Sequence, residues 1–310
     1  MWLYTRPSRF KKYVRAAAAA AADGSPAWVL VTGASDVIGK AVCFELATQG
    51  FNVVLHGRNP AKLERSRDEL SPARSFRILI LDAFECHNTD AVDLDGIVRE
   101  AVDDIRLTVV INCAGAGPRP TFTPLAHYGR QDILDTIHLN AAFPAPVARA
   151  VIPILLCNSL SPVLLLNIAS VSDVGLPLIS FYGAPKAIGH VLGLSVWNEM
   201  KTDHHDSRRD IMVVSHRVGA VTAPSHERRE PSFFTPPLTP WPGPCSRAPG
   251  AAVRSSSSIS RNALQQLVLA VLPTPLADWI MIEAMREWRT EQDDAAVGKE
   301  ARVMGNNTWW

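Results

Sequence analysis

From Trp28 onward the chain alternates short apolar, β-branched runs with segments of helical period, and this alternation narrows the possible folds more than any other feature. The runs are Trp28 to Thr32, Asn52 to Leu55, Arg77 to Leu81, Thr108 to Asn112, Val163 to Ile168 and Ile211 to Ser215. Such runs belong to strands buried on both faces, the condition of a parallel sheet covered by helices. Helical spacing fills the gaps over Ile38 to Gln49, Pro60 to Leu70, Asp95 to Asp104, Gln131 to Ile152 with a bend near Pro144 and Pro146, and Ser180 to Lys201. The order predicts a single α/β domain, a doubly wound parallel sheet in three layers (αβα), with its ligand crevice at the carboxyl ends of the strands.

The 310 residues suffice for one such domain and are too few for two full-sized catalytic domains. The expected division is a basic N-terminal arm over 1–26, the domain over 27–222, a Pro/Ser-rich lid or disordered segment over 223–261, and C-terminal helices with a tail over 262–310. Lys and Arg total 31 against 30 Asp and Glu, so no basic field favours nucleic acid and the expected partner is a small molecule. The cysteines at 43, 86, 113, 157 and 245 form no C-x-x-C pair and no cluster with histidine, which argues for reduced thiols and against zinc or disulfides. Arg6, Arg9, Lys11, Lys12 and Arg15 precede an alanine run, readable either as a transit-like leader or as a basic, partly helical arm. Pro153 and Pro162 interrupt the most apolar internal region and Pro273 and Pro275 the one near the C-terminus, so no membrane-spanning segment is expected. Asn262 to Leu272 and Leu276 to Arg289 regain helical period with a wide apolar face, which either packs on the domain or forms an amphipathic surface for lipid or a partner.

Chemistry concentrates where the runs end. The first run leads into Thr32-Gly33-Ala34-Ser35-Asp36-Val37-Ile38-Gly39-Lys40 directly before a helix. Glycines in such a turn let backbone N–H groups approach a pyrophosphate at the positive helix end. The second run ends in His56-Gly57-Arg58-Asn59, with no carboxylate to hold ribose hydroxyls. Arg58 is therefore either a solvated surface arginine or a cation for a 2′-phosphate, which favours NADP(H) over NAD(H). Asp82 either accepts from an adenine amino group or caps the following turn. Asn112-Cys113-Ala114-Gly115 ends the fourth run with small residues where a cofactor wall would pass, Asn112 also being able to tie strand ends together.

Tyr182 and Lys186 stand four apart in a helical segment and share one face. A phenol titrates near pH 10, so acid–base work near neutrality needs its anion stabilised by about 4 kcal/mol, which an adjacent ammonium and an oriented cofactor can supply. Ser170 follows the fifth run, where a hydroxyl would meet developing negative charge on a carbonyl oxygen.

Together these residues resemble the classical short-chain dehydrogenase/reductase family, from about Trp28 to Thr222. The glycine turn resembles T-G-x-x-x-G-x-G, Asn112 to Gly115 resembles N-x-A-G, and Ser170, Tyr182 and Lys186 resemble the catalytic triad. Asn140 resembles the fourth catalytic residue, which in the family holds a proton-relaying water. Gly219 to Thr222 resembles the end of P-G-x-V-x-T, which implies that Val221 and Thr222 line the nicotinamide site. The wording of "TGASDVIGK", "GFNVVLHGRNPAKL" and "NIASVSDVGLPLISFYGAPKA" is similar to the branch of 17β-hydroxysteroid dehydrogenases and very-long-chain 3-oxoacyl-CoA reductases, especially fungal ones. The resemblance implies a Rossmann-type domain, an NADP(H) cofactor, no metal and a small apolar ketone or secondary alcohol as substrate. It further implies the cytosolic face of the endoplasmic reticulum, or the cytoplasm where an N-terminal anchor is lacking, with peripheral membrane contact and a homodimer as accompanying expectations.

Three departures stand out. Val37 occupies the family's second glycine, Val218 replaces the proline of P-G, and residues from about Trp241 to Arg261 do not resemble the family's lid. Val37 opens a second expectation, a protein that keeps the fold but binds cofactor poorly. A sugar-nucleotide epimerase, the third possibility, needs more chain after the sheet than this sequence has.

Overall fold

Strands that are apolar throughout require cover on both sides, and the computed structural model supplies it. It describes residues 24, 26–70, 74–87, 92–118, 120–158, 162–202, 211–219 and 272–305, with 295–305 as backbone only. The expected Pro/Ser-rich segment, almost all of the N-terminal arm and the helix expected over Asn262 to Leu272, save its last residue, lie outside the described residues, as do Val221 and Thr222.

Six strands run parallel: β1 (Trp28–Thr32), β2 (Asn52–Gly57), β3 (Phe76–Ile80), β4 (Leu107–Asn112), β5 (Val163–Ser170) and β6 (Ile211–Val218). Their order in the sheet is β3-β2-β1-β4-β5-β6, so the chain winds outward in both directions from β1 and β4. Alternate residues face opposite layers. Leu30, Val54, Val110 and Leu165 pack against helices α3 (Leu94–Val102) and α5 (Pro144–Cys157). Val29, Val31, Leu55, Val109 and Leu164 pack on the other face against α1 (Val37–Thr48) and α2 (Pro60–Asp68). Leu30, Leu55 and Leu165 have no exposed surface, and burying each contributes roughly 1.5 to 3 kcal/mol.

The segment expected as one helix with a bend resolves into α4 (Arg130–Ile137), a π turn over His138–Ala142, and α5. Pro144 brings no N–H, and the wider turn, closed by Phe143 N–H donating to His138 O at 2.8 Å, places that proline at the start of α5 where none is needed. Pro153, expected to interrupt this apolar region, lies inside α5 instead. Arg130–Cys157 is by length and composition long and apolar enough to cross a membrane, although Val147, Val151 and Leu155 spend that apolarity on the core. The remaining helices are α6 (Ser180–Thr202) and α7 (Thr274–Gly305). The latter starts before the expected Leu276, because Pro275 falls in its first turn, where a missing N–H is harmless, and it runs on past the expected Arg289 to Gly305.

Candidate active site

The strand order reverses between β1 and β4, and the loops leaving these strands are stitched together there. Thr32 Oγ1 accepts from the N–H groups of Cys113 and Ala114 at 2.9 and 3.0 Å. Gly33 lies in the left-handed region at φ 69°, and a Cβ there would stand 2.9 Å from Ala114 Cα, so both conformation and contact require glycine. Gly33 N–H donates to His56 Nδ1 at 3.4 Å, which ties in the end of β2.

Asp36 caps α1, its carboxylate accepting from Val37 N–H at 2.8 Å and lying 3.7 Å from Lys62 Nζ. Val37 follows at φ 41°, a left-handed conformation in a β-branched residue. Ser35 and Ile38 are half-buried on the same turn, and Gly39 is buried in the first turn of α1. Arg58 is exposed at the end of β2 with its guanidinium 5.4 Å from the centre of the Phe84 ring. Of the two roles open to Asp82, the capping one is visible: its Oδ1 accepts from Phe84 N–H at 3.0 Å. Asn112 ties strands together, its amide donating to Asn167 Oδ1 at 3.0 Å and to Pro144 O at 3.3 Å.

The second half of the site comes from β5, α6 and the π turn. Ser170 ends β5 and caps the short turn Val171–Val174. Its Oγ accepts from Ser172 N–H at 3.2 Å and from Ser172 Oγ at 2.9 Å. Asp173, next in line, pairs with Arg217 of β6, which fixes the turn to the sheet. Tyr182 and Lys186 sit on successive turns of α6, with Lys186 Nζ 5.8 Å from the Tyr182 ring centre and donating to Ile168 O at 3.3 Å. The π turn carries Asn140, whose amide donates to Ala116 O at 2.8 Å and Thr136 O at 2.9 Å. Its buried Oδ1 finds no hydrogen-bond partner among the described residues. A Cβ on Gly115 would lie 2.6 Å from Lys186 Nζ and 2.7 Å from Asn140 Oδ1, so ammonium and amide converge on that loop.

Burial raises the pKa of Tyr182 above that of an ordinary phenol, and the hydrogen bond with Ser170 pulls it back only in part. The sequence pattern leads one to expect Lys186 to lower it. The polypeptide alone does not do this, because the ammonium points to Ile168 O, and burial lowers the lysine's own pKa. Burial also pushes Cys113 up to about 11, so no thiolate forms beside Lys186 near neutrality.

Sheet order defines a Rossmann-type domain, and its polar groups converge where the strand order reverses. The short chain dehydrogenase profile matches residues 27–231, and the chain belongs to that family. Over 201 residues it is 28% identical to the very-long-chain 3-oxoacyl-CoA reductase of Candida albicans, a match covering 63% of this chain and 56% of the relative. Over 177 residues it is 29% identical to the 17-beta-hydroxysteroid dehydrogenase type 3 of Homo sapiens, covering 56% and 54%. The matches thus span about half the length of these curated relatives. A solved short-chain dehydrogenase from Sphingobium yanoikuyae in complex with NADPH is 27% identical, with a TM-score of 0.52 over 63% of this chain and 72% of that one.

The residues present fit a dinucleotide. The left-handed Gly33 opens the approach to the helix end, and an unsatisfied Asn140 Oδ1 beside Lys186 Nζ offers acceptor and donor to a bound hydroxyl or water. Val37, a branched residue with left-handed backbone, departs from this pattern. Sequence reasoning gave no site role to Thr32, Ser172 or the C-terminal helix, although it expected that helix over Leu276 to Arg289. Ser172 left a faint signal in its i+2 spacing from Ser170, whereas nothing local marks a helix that meets Tyr182 from far along the chain.

Proposed function

We propose that the chain is an NADP(H)-dependent oxidoreductase that interconverts a ketone and a secondary alcohol on an apolar substrate, of ketosteroid or 3-oxoacyl thioester type. The observation that carries this reading is Ser170 Oγ, held by two Ser172 donors and hydrogen-bonded to Tyr182, with Lys186 one turn further along α6. Gly33, Ser35, Asp36, Val37, Ile38 and Gly39 would hold the pyrophosphate side of the cofactor, Arg58 a 2′-phosphate, Asp82 the adenine, and Asn112, Ala114 and Gly115 the adjoining ribose, with Val221 and Thr222 reserved for the nicotinamide. When bound, the dinucleotide supplies or accepts the hydride.

The chain's own groups do the rest. A phenol whose pKa burial has raised is protonated at neutral pH, so Tyr182 begins as the acid that gives its proton to a carbonyl oxygen. Ser170 accepts from Ser172 twice, so its own O–H is the group that meets Tyr182 and would turn to that oxygen when substrate binds. Lys186 holds a ribose hydroxyl and favours the phenolate once it forms, and Asn140 Oδ1 holds the water through which the proton is restored. On the branch resemblance we infer the cytosolic face of the endoplasmic reticulum as its location, with peripheral membrane contact and a homodimer.

The test is NADPH oxidation with 3-ketoacyl thioesters, ketosteroids and simple ketones. Tyr182→Phe and Ser170→Ala are each expected to lower kcat by about 100-fold or more with NADPH affinity intact. An undiminished rate in Tyr182→Phe overturns the assignment. The left-handed Val37 favours a second reading, a binding protein that holds cofactor poorly. Millimolar or absent NADPH affinity in a fluorescence titration, restored by Val37→Gly, would establish it.

A further inference from the structure

The C-terminal helix α7 lays one narrow stripe on the domain. Ala277 and Met285 are buried on it, Met281 and Trp288 half-buried, at spacings that keep all four on one side, while Leu276, Trp279 and Ile282 are exposed. Where the stripe ends it meets the candidate site. Met285, 2% exposed, and Trp288 join buried Phe122 and Ile179 and half-buried Leu176, Leu178 and Tyr182 in a cluster separate from both faces of the sheet. The rings of Phe122 and Trp288 meet edge to face, 5.7 Å between centres.

A second, independent observation falls on the same cluster. Among the described residues three non-glycine positions have left-handed backbone, and two of them, Phe122 at φ 53° and Leu178 at φ 64°, belong to it. Such conformations cost free energy, persist only where surrounding packing imposes them, and gather at ligand clamps. The Tyr182 phenol is the only hydroxyl among these seven side chains, Trp288 contributing just an indole N–H. A nearly apolar surround with one acid group matches an apolar body bearing a single reactive oxygen.

We infer that Met285 and Trp288 are specificity-determining residues, which receive the apolar substituent of the carbonyl compound whose oxygen Tyr182 protonates. This rests on the reading of Tyr182 given above. The flexible Met285 side chain yields to a long substituent, which then packs under the Trp288 ring. A short ketone reaches Tyr182 without touching either side chain.

The test compares 2-butanone with 2-nonanone in the full chain with NADPH, by NADPH oxidation and by calorimetric binding. The wild type is expected to favour 2-nonanone at least tenfold in kcat/KM and in affinity. Met285→Ala/Trp288→Ala cuts that ratio at least tenfold, Met285→Leu keeps most of it, and Trp279→Ala on the exposed side of α7 leaves it unchanged. Met285→Gln, close in shape but polar, carries the same expectation should the double variant fail to fold. A ratio equal in wild type and variant, or no measurable binding of either ketone by wild type, overturns the inference. If neither protein oxidises NADPH but wild type binds 2-nonanone selectively and the variant does not, the reductase reading fails while the role of Met285 and Trp288 stands.

Discussion

Gly183 shows how closely the candidate site is built at the scale of single residues. It follows Tyr182, and a Cβ there would fall 2.5 Å from Ser172 O, a backbone atom that cannot swing aside. The glycine thereby sets how near α6 comes to the turn that holds Ser170. Gly183→Val is expected to lower kcat by about 10- to 100-fold with NADPH affinity unchanged, since a misplacement of about 1 Å costs that much; stopped-flow turnover and fluorescence titration would check it. Ser172→Ala removes one of two donors to Ser170 Oγ and is expected to cost about tenfold in kcat while KM holds. The spacing of Tyr182 and Lys186 was legible in the sequence because helical geometry alone puts i and i+4 together. The role of Gly183 was not, because it arises from an approach between segments that no local pattern encodes, and that of Ser172 showed only as its i+2 spacing from Ser170. The direction of the Tyr182 pKa was hidden for the same reason: burial is a property of the packed chain.

Elements were legible in kind more than in extent. All six strands stand where apolar runs occur, yet β5 and β6 reach Ser170 and Val218, past the expected ends at Ile168 and Ser215. Their parallel ladder continues through Ala169 with Arg217 and Ser170 with Val218, so pairing between neighbours, not side-chain type, sets the ends. The π turn was likewise hidden, since periodicity registers prolines as a bend and cannot count one extra residue in a turn. At the start of α1 the sequence did show the anomaly, and the structure gives it a conformation: Val37 at φ 41°. Val37→Gly removes left-handed strain at the cost of some glycine entropy, so thermal denaturation should show a gain of about 1 kcal/mol, roughly 2 to 4 °C in Tm.

At the scale of the molecule the interior holds a titratable group that resists charging. His56 is buried at the end of β2, accepts from Gly33 N–H and stacks on Phe143, and burial pushes its pKa down from 6.5 to about 4. The unfolded chain takes up this proton below pH 6.5 and the folded chain does not until about pH 4, so stability falls across that window as pH drops. The loss is about 1.4 kcal/mol per pH unit, on the order of 3 kcal/mol in all. Urea unfolding at pH 7.5, 6 and 5 would reveal it, and His56→Asn, which keeps an acceptor for Gly33, should flatten the slope. The π turn links this scale to the first. Deleting one residue between His138 and Ala142 would restore ordinary helical pitch and leave the residues downstream on nearly their present faces, because a π turn absorbs its extra residue locally. Val147, Val151 and Leu155 would keep to the sheet, and the loss would fall on the turn that presents Asn140. A lineage that discards the extra residue keeps its core and forfeits its chemistry, so the surplus amino acid is a mark of function and not of stability.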